Sequence, residues 1–208
     1  MRNNTGTKYI IVFALLISVA ALSLGFAALT STLSISSSAS VTGPGGELNV
    51  KFSTVNTGIT TGSVTPTLSP TTNGPTSQNA TLNDTTITGL KATFSGVGQS
   101  VKYSFYVYNA SEFVAYLNSV NIGSKTCTAN TGTTQSYVNA ACNGISLSVK
   151  VGSNTYNASN TSISSHALAK TSAEAVEVTI AYASNASTAD GDFSVTFGDT
   201  TLIYGTAD

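Results

Sequence analysis

The stretch VKYSFYVY, residues 101–108, carries the clearest strand pattern in this chain. Its apolar side consists of Val101, Tyr103, Phe105 and Val107. Lys102 and Ser104 fall on the other side. An alternation with a period of two sends successive side chains to opposite faces of an extended strand, and one of these faces is then buried. The stretch therefore predicts a strand whose odd-numbered residues point into a core.

The same alternation recurs on both sides of this stretch. Short runs rich in β-branched and aromatic residues are separated by clusters of Gly, Asn, Ser and Thr. The runs lie at residues 48–52, 145–151, 176–182, 193–197 and 202–204. A further strand is expected at 110–117, where a short helix capped by Ser111 is the alternative. Many short strands at such spacing are typical of antiparallel sandwiches. The sequence predicts an all-β fold, an antiparallel β-sandwich of jelly-roll or Ig-like type, as a single domain over residues 30–208.

One long segment does not follow the strand pattern. Residues 56–84 hold three of the four prolines, Pro66, Pro70 and Pro75, among many Thr, Ser, Asn and Gly residues. Proline cannot donate a hydrogen bond to the interior of a sheet. We therefore expect a long surface loop with at most one edge strand, and a plain linker is the alternative. The loop does not divide two domains, because the residues before it are too few to form a core.

The composition narrows the range of functions. Of the 208 residues, 8 are Lys or Arg and 9 are Asp or Glu, so that 8% are charged, against roughly 25% in ordinary soluble domains. This excludes a basic nucleic-acid binder, and hydroxyl and amide side chains must supply solubility. Catalysis usually recruits His, carboxylates or Cys, and one His with scattered acids leaves few groups for an active site. We therefore do not expect an enzyme, a cofactor or a metal site.

The amino-terminal segment is typical of an export signal. Basic residues precede an uncharged, strongly apolar run at residues 9–29, which is the order found in secretory signals. Small residues at Gly25 and Ala27 predict cleavage there, so that the mature chain begins near Ala28. The alternative for residues 1–29 is an uncleaved helical anchor, because a run of this length can span the hydrocarbon of a bilayer. In both cases the rest of the chain is expected outside the cytoplasm, at the cell surface or in the extracellular space.

Cys127 and Cys142 are the only cysteines of the chain. An even number of cysteines in an exported chain predicts a disulfide bond. It would close a loop of about 15 residues and contribute roughly 3 kcal/mol to stability in the chain-entropy model. A metal pair or a redox motif is the alternative, but the C-x-x-C spacing and a neighbouring His are both missing. The disulfide is expected to hold a local excursion of the chain.

Two other groups of residues invite a chemical interpretation. His166 could belong to a Ser-His-Asp triad, but the chain has no G-x-S-x-G nucleophile elbow, and we expect His166 in an exposed loop. Asp190, Asp192 and Asp199 could supply oxygen ligands to calcium, but their spacing does not match an EF-hand loop. A tight turn around Gly191 accounts for the first two acids equally well.

Tyr106 and Tyr108 lie on the side of the 101–108 strand opposite to Tyr103. An outward pair of aromatic side chains on a sheet with little charge could contact a glycan or a partner protein. The alternative is that segment 56–84 covers both rings. Tyr106 and Tyr108 are therefore candidate contact residues.

Several stretches resemble the TasA/camelysin family, secreted bacterial proteins that are processed by a SipW-type signal peptidase. Residues 24–32, LGFAALTST, are similar to the export signals of this family. Residues 98–110, GQSVKYSFYVYNA, and 115–117, AYL, look like the family's strand, Asn-rich bend and next strand. Here Val97-Gly98-Gln99 replaces the family's Pro-Gly-Asp turn. Residues 191–204 are similar to the tail of small exported relatives.

The resemblance implies a jelly-roll-like sandwich that is exposed at the cell surface or in an extracellular matrix. In some relatives the amino-terminal strand of one subunit completes the sheet of the next, which builds fibres. The chain is therefore expected to be a structural subunit of a fibre or biofilm. Camelysin-type relatives have been grouped with metallopeptidases, but this chain has no H-E-x-x-H motif, and one His cannot supply the usual zinc ligands. A secreted metallopeptidase is the least favoured alternative.

Residues 33–41 are the candidate donor strand. Its alternating apolar side chains are Leu33, Ile35, Ala39 and Val41. The segment lacks the charges and prolines with which edge strands normally prevent pairing between molecules. A donated strand would gain main-chain hydrogen bonds and side-chain pockets. The alternative is that the segment pairs within its own sheet.

The expected partners follow from these features. They are further copies of the chain, other cell-surface proteins or glycans, and no nucleic acid. Contact with a membrane is expected only through residues 9–29, if these are retained. A monomeric surface adhesin or carbohydrate-binding module is the alternative to a fibre subunit.

Overall fold

Sixteen β-strands and one helix make up the described part of the chain, residues 47–163 and 166–206 of a computed structural model. The strands are β1 (Val50–Ser53), β2 (Gly62–Val64), β3 (Thr67–Ser69), β4 (Thr76–Ser77), β5 (Ala80–Asn83), β6 (Thr86–Thr88), β7 (Lys91–Phe94), β8 (Ser100–Asn109), β9 (Ala115–Asn121), β10 (Lys125–Ala129), β11 (Ile145–Val151), β12 (Asn154–Tyr156), β13 (Ala167–Leu168), β14 (Ser172–Tyr182), β15 (Phe193–Phe197) and β16 (Thr200–Gly205). The helix is α1 (Gln135–Cys142). Every strand pairing within these ranges is antiparallel. The predicted all-β class is confirmed.

The first sheet, sheet I, is built around the long strands β8 and β14. Its strand order is β1-β8-β14-β11-β12, and β3 pairs with β8 on the side that β1 also uses. β8 and β14 pair from Ser100 opposite Ala181 to Asn109 opposite Ser172. The odd-numbered residues of β8 are buried, so the alternation predicted from the sequence is confirmed.

Two further sheets, of six and four strands, form the opposite layer. Sheet II has the order β13-β9-β16-β6-β5-β2, and sheet III has the order β10-β15-β7-β4. Four chain segments run through both sheets, because β9 leads into β10, β15 into β16, β6 into β7 and β4 into β5. Sheets II and III are therefore two halves of one layer whose central strands bend, which is how strands turn the corner of a sandwich.

Glycines occupy three of these four bends. Gly89, between β6 and β7, has a φ of 76°, in the left-handed region where glycine is favoured. Gly123 follows β9 and Gly198 follows β15, and the two lie against each other. A Cβ on Gly123 would overlap the main-chain carbonyl of Gly198. Close approach of two backbones thus requires glycine at this corner.

A hydrophobic core joins sheet I to the bent layer. Tyr182 of sheet I packs edge-on against Phe193 of sheet III, with 5.4 Å between the ring centroids. Its ring also lies 5.8 Å from that of Phe94, on the neighbouring strand β7. Buried side chains from all three sheets belong to the same cluster. The described sheets therefore pack in a sandwich-like manner.

The prediction of a loop with at most one edge strand at residues 56–84 is wrong. The segment contains β2, β3, β4 and β5, and β5 lies inside sheet II between β6 and β2. The prolines fall outside the strands: Pro66 and Pro70 flank β3, and Pro75 precedes β4. Prolines here mark the breaks between strands of two to four residues, which partner strands hold in place.

The predicted strand at residues 110–117 begins only at Ala115. Before it, the Asn109 side chain organises a bend: its Oδ1 accepts the Ser111 N–H at 2.9 Å, and its Nδ2 donates to the Phe113 carbonyl at 2.9 Å. Such side-chain to backbone bonds compete with strand pairing.

Helix α1 was not predicted from the sequence. It lies within the loop that the disulfide between Cys127 and Cys142 closes, with their Cα atoms 6.1 Å apart. The predicted cysteine pairing is confirmed. Val138 and Ala141 are the buried residues of α1, so its apolar stripe is too short to stand out in the sequence.

Candidate functional site

The predicted export and donor residues lie outside the described part of the chain. They are Gly25, Ala27, Ala28, Leu33, Ile35, Ala39 and Val41. Their roles stay predictions. Within residues 47–163 and 166–206, no helix is long and apolar enough to cross a membrane.

The side of β8 that faces β1 is paired incompletely. β1 pairs with the β8 residues Tyr106 to Asn109, and β3 pairs with Ser100 to Lys102. Between them, residues 103–105 have no strand partner on this side in the described ranges. A central strand of sheet I therefore has a gap along one edge.

Ser104 presents its main chain to this gap. In antiparallel sheets, the N–H and C=O groups of successive residues point alternately to one neighbouring strand and to the other. The N–H of Ala110 donates to the Asn49 carbonyl at 2.8 Å on the β1 side, so the even-numbered residues of β8 point this way. Ser104 shares this direction and is the one exposed residue of β8. Its N–H and C=O therefore point to the side on which residues 103–105 have no strand partner among the described residues.

The outer edge of β1 is closed by the turn between β5 and β6. The Phe52 N–H donates to the Asp84 carbonyl at 2.5 Å. Lys51 Nζ lies 3.0 Å from the Asp84 carboxylate. These contacts occupy the edge that a further strand beside β1 would use, whereas residues 103–105 have no strand partner on the β1 side in the described ranges.

Tyr106 and Tyr108 lie on the outer face of sheet I, and both are half-buried. On β14, Ala173 is opposite Tyr108 and Ala175 is opposite Tyr106, so small side chains border the two rings. On β1, the turn that follows the strand folds over Ser53, whose Oγ accepts two N–H groups from it. Segment 56–84 thus approaches this face without burying either ring.

His166 is buried, and the prediction of an exposed loop is wrong. Its Nδ1 lies 2.7 Å from Asn154 Nδ2, and its Nε2 lies 2.7 Å from Glu174 Oε2. With the Asn154 amide donating to Nδ1, the ring proton lies on Nε2 and is donated to Glu174. The His166 carbonyl accepts the Leu117 N–H at 2.9 Å. His166 therefore fixes the chain where it crosses from β12 of sheet I to β13 of sheet II.

A buried hydroxyl without a partner lies near this cluster. Tyr204 in β16 is buried, and its hydroxyl has no hydrogen-bond partner among the described residues. Burial raises the pKa of Tyr204, and the negative charge of Glu174 raises it further. An unpaired buried polar group costs roughly 1–3 kcal/mol. Thr200 Oγ1, at the start of the same strand, is a second buried atom without a partner among the described residues.

Asp190, Asp192 and Asp199 do not form one site. Asp190 Oδ1 accepts the N–H of Thr134, directly before α1, at 3.0 Å, and hydrogen bonds from Thr134 lower the pKa of Asp190. Asp192 and Asp199 lie at opposite ends of β15, roughly 20 Å apart at the usual rise of a strand. No group of three or more metal-ligating side chains occurs in the described part of the chain. The calcium interpretation has no support, and Asp190 anchors the start of α1.

An open cleft lies at the end of sheet III next to these acids. Its volume is about 590 Å³. It is lined by Ala129, Asn130, Thr131, Gly132, Thr133, Gly191 and Asp192. The lining is mostly polar and combines main-chain groups with hydroxyls, one amide and one carboxylate.

A cover over the edge of sheet III was missed by sequence reasoning. β10 is an edge strand, and Gln135 at the start of α1 binds its outer side. Gln135 Oε1 accepts the Ala129 N–H at 2.8 Å, and Gln135 Nε2 donates to the Cys127 carbonyl at 3.2 Å. A neighbouring strand would bind these same main-chain groups. The sequence separation between Gln135 and β10 does not predict this contact, because the contact depends on the fold of the intervening loop.

No protein-family model, no curated protein and no solved structure matches the chain. The proposals that follow rest on its own residues and contacts.

Proposed function

We propose that this protein is an exported structural subunit of the cell surface or extracellular matrix that assembles into fibres through β-strand pairing. Residues 33–41 of one copy pair along the free side of β8 in the next copy, and complete a jelly-roll-like sandwich. The observation that carries this proposal is the gap at residues 103–105 with the exposed Ser104 in it. The disulfide agrees with an oxidising, extracellular compartment.

The donor segment matches the chemistry of this edge. If odd-numbered donor residues stand opposite odd-numbered residues of β8, Leu33, Ile35, Ala39 and Val41 point toward the core, together with Ser37. The even-numbered serines then share the outer face with Ser104. In the described structure, β3 already places one apolar side chain at this edge. This is Leu68, which lies opposite Val101 and is half-buried.

β3 is suited to displacement by a longer strand. It has three residues, two of them exposed, and it lies between Pro66 and Pro70. A donated segment of nine residues makes more main-chain hydrogen bonds with β8 than β3 does, and each contributes roughly 1 kcal/mol net. The gap and the site of β3 together form a continuous edge from Ser100 to Phe105.

Chain length favours donation to another copy. In an antiparallel register like those of all described pairings, Val41 would lie level with Ser100 or beyond the start of β8, whereas Asn49 lies beside Ala110. Ten residues of strand span roughly 33 Å. The eight residues from Val41 to Asn49 reach at most about 28 Å. The segment therefore cannot reach this edge in its own copy.

The test compares two lysine substitutions in the mature protein that begins near Ala28. Ile35→Lys puts a charge on the core side of the donor, and Ser36→Lys puts the same charge on its outer side. We expect fibres by electron microscopy with S36K and monomers by sedimentation with I35K, because only I35K buries an unpaired charge. Fibres of equal length and yield from I35K would contradict strand donation.

A binding role is the second candidate, and the outer face of sheet I favours it. Tyr106 and Tyr108 remain half-exposed beside two alanines, which suits stacking against a sugar ring or a partner protein. A double Tyr106→Ser, Tyr108→Ser variant should keep the oligomeric state and lose adhesion to a polysaccharide surface. Mature protein that stays monomeric at high concentration, with adhesion that depends on these tyrosines, would favour this role over the fibre subunit.

A further inference from the structure

The edge strand β10 is covered by a tethered helix and not by another strand. With five residues, it is the longest strand at the end of any described sheet. Gln135 holds its Ala129 N–H and Cys127 carbonyl at one end of α1. At the other end, Lys125 Nζ donates to the carbonyls of Cys142 and Ile145, at 2.7 Å each. These contacts and the disulfide place α1 over an edge that would otherwise be open.

Helix α1 makes only a small apolar contact with the rest of the fold. Its buried side chains are Val138 and Ala141, and Tyr137 is 56% exposed. Thr134 at its start makes no side-chain capping bond. An isolated helix of eight residues is marginal in water, because nucleation is costly and few hydrogen bonds follow it. The covalent bond between Cys127 and Cys142 therefore adds to the polar contacts of Gln135, Lys125 and Asp190 in tethering the cover.

We propose that this disulfide locks a second assembly edge, and that its reduction allows β10 of one copy to pair with β10 of another. A dithiol supplies two electrons and two protons. The bond between Cys127 and Cys142 breaks, both sulfurs become thiols, and the dithiol closes to its own disulfide. Gln135 then leaves with α1, and the Ala129 N–H and the Cys127 carbonyl become free to bind a strand.

A second copy of the chain fits this edge because β10 is self-complementary. Lys125, Cys127 and Ala129 share the direction of the main-chain groups that Gln135 now binds. A two-fold axis at Cys127 sets each Lys125 opposite an Ala129 and each Thr126 opposite a Thr128. No like charges then face each other, and each copy contributes the same hydrogen bonds. This pairing goes beyond the proposed fibre contact and does not use residues 33–41.

The test uses the mature protein with Ile35→Lys, so that the fibre contact is disabled. Sedimentation and amide exchange at Ala129 are measured with and without dithiothreitol. We expect the oxidised protein to be monomeric, with slow exchange at Ala129 at every concentration. The reduced protein should form a dimer, and its Ala129 amide should exchange fast when dilute and at least tenfold more slowly when concentrated. The Cys127→Ser, Cys142→Ser double variant should behave in the same way without a reductant.

A matched variant tests the edge itself. Ala129→Pro removes an N–H that points away from β15, so the ladder of sheet III is kept while the new pairing loses a donor. Reduced A129P should stay monomeric. The proposal is wrong if the reduced protein is monomeric at all concentrations, if its β-sheet circular dichroism is lost, or if A129P dimerises as well as the parent. Fibres that persist with I35K would contradict the proposed function. They would not affect the β10 proposal, because amide exchange at Ala129 reports on β10 alone.

Discussion

Two buried tyrosines differ in the hydrogen bonding of their hydroxyl groups. The Tyr103 hydroxyl lies 2.7 Å from Ser77 Oγ, and it donates toward the carbonyls of Gln78 at 3.1 Å and Lys91 at 3.2 Å. The hydroxyl of Tyr204 has no partner in the described ranges. Burial raises the pKa of both side chains. The same chemical group therefore stabilises the fold at one position and costs stability at the other.

This contrast predicts opposite effects of the same substitution. Tyr204→Phe removes an unsatisfied hydroxyl and should raise the free energy of unfolding by about 1 kcal/mol. Tyr103→Phe removes a donor that the Gln78 and Lys91 carbonyls share with the Ser77 hydroxyl, and should lower the free energy of unfolding by about 1 kcal/mol. Urea unfolding with linear extrapolation measures both. Equal losses for Y204F and Y103F would contradict the hydrogen bonding described.

His166 shows why some residues could not be placed from the sequence. Its neighbours in the chain are serines and an alanine, which favoured an exposed loop. Its burial depends on Asn154 and Glu174, which lie on other strands. Contacts of this kind depend on the order of the strands in the sheets, so a local sequence pattern does not predict them.

At the scale of elements, the corner of the bent layer depends on glycine. Gly123→Ala would push a Cβ into the carbonyl of Gly198, so the backbone of both bends must shift. We expect a loss of about 3 kcal/mol or more in the free energy of unfolding, as for other forms of overpacking. Gly96→Ala is the matched control, because a Cβ there meets no atom within 4 Å. Thermal unfolding that shifts equally for G123A and G96A would show that the corner is not tightly packed.

The long strands were predictable, and the short elements were not. The alternation at residues 101–108 and 145–151 is strong because one face of each strand packs into the core. The strands of residues 62–83 have two to four residues, too few for a period of two to be visible. α1 depends on a disulfide and on Gln135, which join it to β10. The gap beside Ser104 follows from the lengths of β1 and β3, which the sequence did not give.

At the scale of the whole molecule, buried tyrosines predict sensitivity to alkali. Burial raises the pKa of Tyr103, Tyr182 and Tyr204 above the ordinary value of 10.0. The unfolded chain therefore loses tyrosine protons at lower pH than the folded chain, and the stability that these groups contribute is complete below pH 10 and falls as pH rises through and above it.

Far-ultraviolet circular dichroism and tyrosinate absorbance measure this dependence. Exposed tyrosines should ionise first without a change in the β-sheet signal. The buried tyrosines should ionise together with the loss of that signal, in one step above pH 10. Complete ionisation of all tyrosines in a protein that keeps its β-sheet signal would contradict the burial described.

Strand donation predicts slow hydrogen exchange at one amide of the assembled protein, that of Ser104. The N–H of Ser104 points into the gap of sheet I, and Ser104 is exposed. Hydrogen exchange at this amide should be fast in the monomeric I35K variant. In fibres of the mature protein it should be slower by two orders of magnitude or more, because the donated strand accepts its hydrogen bond. Exchange that is equally fast in fibres and in monomers would contradict the account.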